Sequence, residues 1–148
     1  MAKNVKVVKL SEATPDLDHE WKVKDRLPMR SGARGTSKLF SSDVADECEV
    51  VYQRYAAGYL GPYHVHHHAE NVWVVMEGEM AAIIGGVRYF VKAGEAIFMP
   101  ADVPHTTGNR GPGDMLAVEF YTPSVDRWNP RDSIPVDPPA EIRDAIVS

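Results

Sequence analysis

The sequence predicts an all-β domain, a sandwich or barrel, and three observations predict it. Short apolar runs rich in Val, Tyr, Ile and Phe recur through the middle of the chain. They come about every 8–12 residues with turn residues between them, the spacing of sandwiches and barrels. No apolar repeat of about 3.6 residues runs through the same region, so amphipathic helices are not expected there.

The elements follow in order. Residues 50–56 are rich in Val and Tyr and read as a strand, and residues 71–76, N-V-W-V-V-M, read as another. Residues 80–84 are apolar, Gly85-Gly86 breaks them, and 87–91 follow. That is the pattern of a hairpin with a tight two-residue turn. Residues 96–99, closed by Pro100, and 116–121 complete the set. The glycine-rich segment 108–113 reads as a hairpin loop, because it lacks the strand-to-helix setting of a phosphate-binding loop. Residues 5–10 are a further candidate strand, suited to cover the open sheet edge of a partner.

The ends differ from the middle. Residues 11–35 hold two prolines and many charges. A loop of that length is uncommon in a compact domain, so it is expected to cover a pocket mouth or pack on a second subunit. Beyond Pro123 come Pro130, Pro135, Pro138 and Pro139. Residues 140–147 suit one short C-terminal helix, since Pro139 fits a helix start. The expectation is one domain over 1–148, with an N-terminal arm over 1–33, a barrel core over about 34–123 and a proline-rich tail over 124–148.

Composition narrows the function. The chain of 148 residues is long enough to bury a core. A net charge of −5 gives no basic footprint for nucleic acid and no polybasic run for an anionic membrane. No apolar run is long enough to cross a bilayer, and the first ten residues lack the apolar core of a signal peptide. Cys48 is the single cysteine, which excludes an internal disulfide and every cysteine-based zinc pattern. The expected setting is a reducing cytoplasm, and the expected partner a small molecule rather than nucleic acid or membrane.

Five of the six histidines fall in two segments, 58–78 and 94–109. His64 and His66 stand two apart, and on a strand such residues share a face. Both imidazoles can enter a barrel from one wall, and His105 can complete the set from another strand. Three neutral imidazoles suit a divalent ion and leave positions open on it. His67 and His68 read either as a proton relay or alternative ligand pair (His66 with His68), or as packing and solvent-facing side chains. His19 stands alone in a charged loop and reads as non-functional.

These segments resemble the two signature motifs of the cupin superfamily. The first family motif is G-x5-H-x-H-x(3 or 4)-E-x6-G, matched by Gly58, His64, His66 and Glu70. Its last glycine falls one place late, at Gly78, and counting back from it puts Asn71 at the acidic position. The second motif is G-x5-P-x-G-x2-H-x3-N, matched by Gly94, Pro100, His105 and Asn109, with Asp102 where the family has glycine. The resemblance implies a jelly-roll barrel, also called a double-stranded β-helix. It also implies a divalent metal on His64, His66, His105 and an acidic residue. Glu70 is the expected fourth ligand, since a carboxylate is the better ligand for a hard divalent ion. Asn71 is the alternative: strand parity puts Asn71, Trp73 and Val75 on one face unless a bulge at Ala69-Glu70 reverses it. Fe(II) or Mn(II) is favoured, with Zn(II) or Ni(II) next.

Other side chains are candidates for the pocket. Tyr52 and Arg54 share one face of their strand, where Arg54 would clamp a carboxylate or phosphate if inward. Trp73 either stacks on substrate or packs in the core. Glu119 and Tyr121 share a face of the last strand, and an inward Glu119 is a candidate general base. His68 is a further candidate. Three functions fit: an Fe(II)-dependent dioxygenase, the first choice; a redox-neutral lyase, isomerase, decarboxylase or polyketide cyclase; and a non-catalytic ligand-binding or sensor protein. With no DNA-binding domain expected, a one-chain transcription factor is disfavoured. A homodimer is expected from the resemblance.

Overall fold

Residues 5–13, 34–40 and 47–141 are described by a computed structural model of the chain. It is all-β among these residues. Ten strands follow one another: β1 (Arg34–Phe40), β2 (Glu49–Tyr55), β3 (His64–Val65), β4 (Glu70–Glu77), β5 (Glu79–Ile84), β6 (Val87–Lys92), β7 (Ala96–Met99), β8 (His105–Asn109), β9 (Met115–Thr122) and β10 (Ile134–Pro135). They form two five-stranded antiparallel sheets, ordered β1-β2-β9-β4-β7 and β10-β3-β8-β5-β6. Strands adjacent in a sheet are mostly distant in sequence, and the chain crosses between the sheets as in a jelly roll.

Period-two alternation creates the interior. On β4, Asn71, Trp73 and Val75 are buried, and on β9, Met115, Ala117, Glu119 and Tyr121 are. On β2, Val51, Gln53 and Tyr55 point the same way. Each of these inner rows changes character along its length. Tyr55, Trp73, Val75, Met80, Met99, Met115 and Ala117 pack into one apolar cluster. Burying each such large apolar side chain contributes about 1.5–3 kcal/mol. Beyond it the same strands turn polar, with Gln53, Asn71, Glu119 and Tyr121. One end of the barrel is therefore core, and the other is a polar cavity.

Several expectations meet the structure here. Gly85-Gly86 forms the β5–β6 turn with φ of 56° and 82°, a left-handed pair that glycine adopts without strain. Segment 108–113 ends β8 and leads to β9 in the other sheet, so it is a crossing between sheets and not the expected hairpin loop, and Asn109 clamps it. Its Nδ2 donates to the carbonyls of Tyr55 and Gly113, and its Oδ1 accepts from Gly111 N–H. Residues 5–10 are not a strand in the single chain, and Val5 and Val7 are exposed. With no neighbouring strand to pair with, their alternation has no ladder to join. Most of the expected helix over 140–147, most of the long loop 11–35, and His19 lie outside the described residues. No helix among the described residues is long and apolar enough to cross a membrane.

Candidate metal centre

His64 lies in β3 and pairs directly with His105, the first residue of β8. His66 follows β3, where the chain turns toward β4. Each ring is held through Nδ1 by a backbone carbonyl: His64 by Pro62 at 2.8 Å, His66 by Asp132 at 2.5 Å, and His105 by Val103 at 2.9 Å. A carbonyl only accepts, so all three Nδ1 atoms carry hydrogen and all three Nε2 atoms present lone pairs.

Those lone pairs converge. One ligand atom from each ring lies within 4.8 Å of the others, and the Nε2 atoms of His64 and His66 are 3.2 Å apart. Nε2 of His105 is buried with no hydrogen-bond partner. Burial pushes all three imidazoles below their ordinary range, and for His64 its histidine neighbours add to this. Three neutral rings with facing lone pairs repel one another, and a cation turns that repulsion into attraction. The cluster can hold a divalent metal ion, and its carbonyl-locked rings are the arrangement metal-ligating histidines show.

A small, partly open cavity lies beside the cluster. Asn71, Trp73, Glu119, Tyr121 and Arg34 help to line it. Glu119 is held from two sides: Nδ2 of Asn71 donates to Oε1 at 3.0 Å, and Nε2 of Gln53 donates to Oε2 at 2.7 Å. Since a carboxylate only accepts, the Asn71 amide is oriented, and its Oδ1 is left buried without a partner.

The structure separates the residues singled out from sequence. His64, His66 and His105 come together, and Asn71, Trp73, Glu119 and Tyr121 line the same cavity. Glu70, expected as fourth ligand, does not join them. It is exposed on the outer face of β4, opposite Thr122. The bulge in β4 sits between Val75 and Glu77, not at Ala69-Glu70, so the parity that turns Asn71 inward is intact. Tyr52 and Arg54 face outward, because Gln53 and Tyr55 take the inner face; Arg54 pairs with Asp114 at 2.7 Å. His68 is exposed and stacks on Trp128, with ring centroids 4.5 Å apart. His67 contacts Asp102 at 2.8 Å. Trp73 borders the cavity but packs against Tyr55 in the core.

Three residues of this end of the barrel escaped the sequence reading. Gln53 carried a signal, as a polar residue in an otherwise apolar inner row. Arg34 and Asp132 carried none, since each reaches the site from a segment without a motif.

A model of the Cupin domain family matches residues 51–121, the stretch that holds both histidine segments and the strands around them. The chain carries a cupin domain. The cupin second-motif glycine position explains Asp102: it has φ of 62°, a left-handed backbone that favours glycine. Its N–H donates to the His66 carbonyl at 2.8 Å.

Solved structures agree on the cupin fold. A protein with a double-stranded β-helix domain from Klebsiella pneumoniae superposes with a TM-score of 0.62 at 21% identity, over 81% of this chain and 91% of that one. A sugar phosphate isomerase of the cupin superfamily from Silicibacter pomeroyi gives a TM-score of 0.56 at 19% identity, over 63% of this chain and 61% of that one. The HTH-type transcriptional regulator PuuR of Escherichia coli is 25% identical over 76 residues, 51% of this chain. The match spans only 41% of that regulator's length.

Proposed function

We propose that this cupin is a metal-dependent, redox-neutral enzyme in which Glu119 moves a proton on a small oxygenated substrate. One observation carries the reading: a buried carboxylate, oriented by two amides, lines the same cavity as His64 and His105 of the histidine cluster. His64, His66 and His105 would hold the ion, with Asn71 Oδ1 as a neutral fourth donor. That donor set suits Zn(II), Ni(II) or Fe(II) better than Mn(II), which prefers carboxylates. The ion, when bound, supplies Lewis acidity toward a substrate oxygen.

The chain's own residues do the rest. Asn71 and Gln53 fix Glu119 so that its remaining lone pairs face the cavity. Glu119 accepts a proton from carbon beside a carbonyl and returns it at a neighbouring position, which is isomerase or lyase chemistry. Tyr121, hydrogen-bonded to Glu119, holds its phenolic proton, because burial and then the Glu119 charge raise it well above its ordinary range. Its single O–H donates to Glu119 and helps to hold that carboxylate in place. The charged and polar cavity wall favours this chemistry over a dioxygenase acting on an apolar aromatic substrate.

The test is proton exchange. Zn(II)-loaded protein is incubated in D2O with a panel of small 2-oxo and 3-oxo acids and followed by NMR under argon. Deuterium entry that is lost in Glu119→Gln supports the reading. No exchange with any member, together with oxygen uptake by the Fe(II)-loaded protein, returns the dioxygenase. A second reading, a ligand-binding module, is supported by the printed description of PuuR as a transcriptional regulator. Ligand binding without turnover would favour it. The homodimer is retained as part of this proposal, supported by Met76, Phe98 and Phe120 exposed on the outer face of the first sheet. Sedimentation as a monomer would remove it.

A further inference from the structure

A second small cavity adjoins the first, and Arg34 and Tyr121 line both. β1 and β2 build it, with Thr36 opposite Gln53 and Lys38 opposite Val51, and Arg131 borders it from the tail. Its wall carries three cations, Arg34, Lys38 and Arg131, against one anion, Glu49. Lys38 and Arg131 both engage Asp126, and they lie 3.4 and 3.7 Å from Glu49. Arg34 is different in position. It is 8% exposed and lies where the two cavities meet, and its Nε donates to Gln53 Oε1 at 3.2 Å. Through Gln53 it is tied to Glu119. Its guanidinium is a permanent cation with a planar fork of donors that matches a carboxylate. Glu49 is fully buried, and its Oε1 lies between Lys38 and Arg131, which meet its charge within the cavity wall.

We propose that Arg34 receives a carboxylate of the substrate, which spans both cavities with its other end at the histidine cluster. This deepens the enzyme reading above and rests on it. A singly charged carboxylate fits better than a phosphate dianion, because Lys38 and Arg131 are already engaged by Asp126 and Glu49 and Arg34 alone then matches one charge. The substrate class is therefore carboxylic acids that carry a second oxygen function for the histidine end.

Titration calorimetry tests this with malate, its 4-amide and inorganic phosphate, on Zn(II)-loaded and on metal-free protein. Malate binds at least about tenfold more tightly than the amide, the discrimination expected of one charge-assisted pair. Arg34→Gln removes that preference at unchanged zinc content, and Arg34→Lys keeps part of it. The preference of the natural chain is read without any substitution, so a variant that fails to fold does not decide the matter. Equal binding of malate and amide, a preference unchanged in Arg34→Gln, tighter binding of phosphate, or no measurable malate binding overturns the inference. A malate preference that persists in protein unable to load zinc keeps Arg34 in this role and removes the metal reading. Zinc loading without any malate preference removes the Arg34 inference alone.

Discussion

Asp132 supports the His66 ring and the turn that carries it at the same time. Its carbonyl accepts from Nδ1 of His66 at 2.5 Å. Its carboxylate gathers the backbone N–H groups of His67, His68 and Ala69 at 2.8, 3.0 and 2.9 Å. Asp132→Ala removes the acceptor of all three. The expected loss is about 2–4 kcal/mol of stability, from one buried and two part-buried donors left unmet, and about 10–100-fold in metal affinity, as for other supports of a ligating histidine. Denaturant melts and zinc titration check both. An unchanged affinity would mean that the turn does not position His66.

The imidazole cluster makes the metal-free protein acid-sensitive. Burial holds His64, His66 and His105 below the ordinary value of 6.5 in the fold. As pH falls through 6.5, the unfolded chain takes up protons that the folded chain refuses. Stability is thus full above 6.5 and declines as pH drops toward the lowered folded values. Melts of metal-free protein from pH 7.5 to 5 measure the slope. His64→Ala should flatten it, and a slope equal to that of the natural chain would count against the cluster as its source.

Much of this was readable in the residues. The Gly85-Gly86 turn, the inner parity of Asn71, Trp73 and Val75, and the convergence of three histidines follow from pattern and motif. The facing of β2 and β9 did not, for a physical reason. Their outer rows are apolar too, with Val50 and Tyr52 on β2 and Leu116, Val118 and Phe120 on β9. Alternation then marks two faces without saying which is inside. Glu70 was favoured by carboxylate chemistry over strand parity, and the backbone follows parity. Arg34 and Asp132 reach the site only through closure across distant segments, which no local pattern reports.

Glu119 and Asn71 separate binding from chemistry. Glu119→Gln keeps the size of the side chain but cannot accept from both Asn71 and Gln53 amides and cannot take a proton. It should retain metal and lose proton exchange by about 100-fold or more. Asn71→Ala removes both one of the two amides that orient Glu119 and the proposed fourth donor, so it should lower exchange and weaken metal binding together. Exchange unaffected by Glu119→Gln would assign the base elsewhere.

Metal binding to the folded state should also raise stability. At about 100 times the dissociation constant, an ion bound only by the native chain adds about 2.7 kcal/mol. A chelator should reverse the gain. A melting temperature indifferent to zinc and chelator would contradict the folded cluster as the binding site.

The most direct measurement is metal content per chain after zinc loading and desalting, for the natural protein, Glu70→Ala and the double variant His64→Ala/His66→Ala. The account predicts about one ion per chain in the natural protein and in Glu70→Ala, and none retained by the double variant. Full metal content in the double variant, or loss of the ion on Glu70→Ala alone, would contradict it.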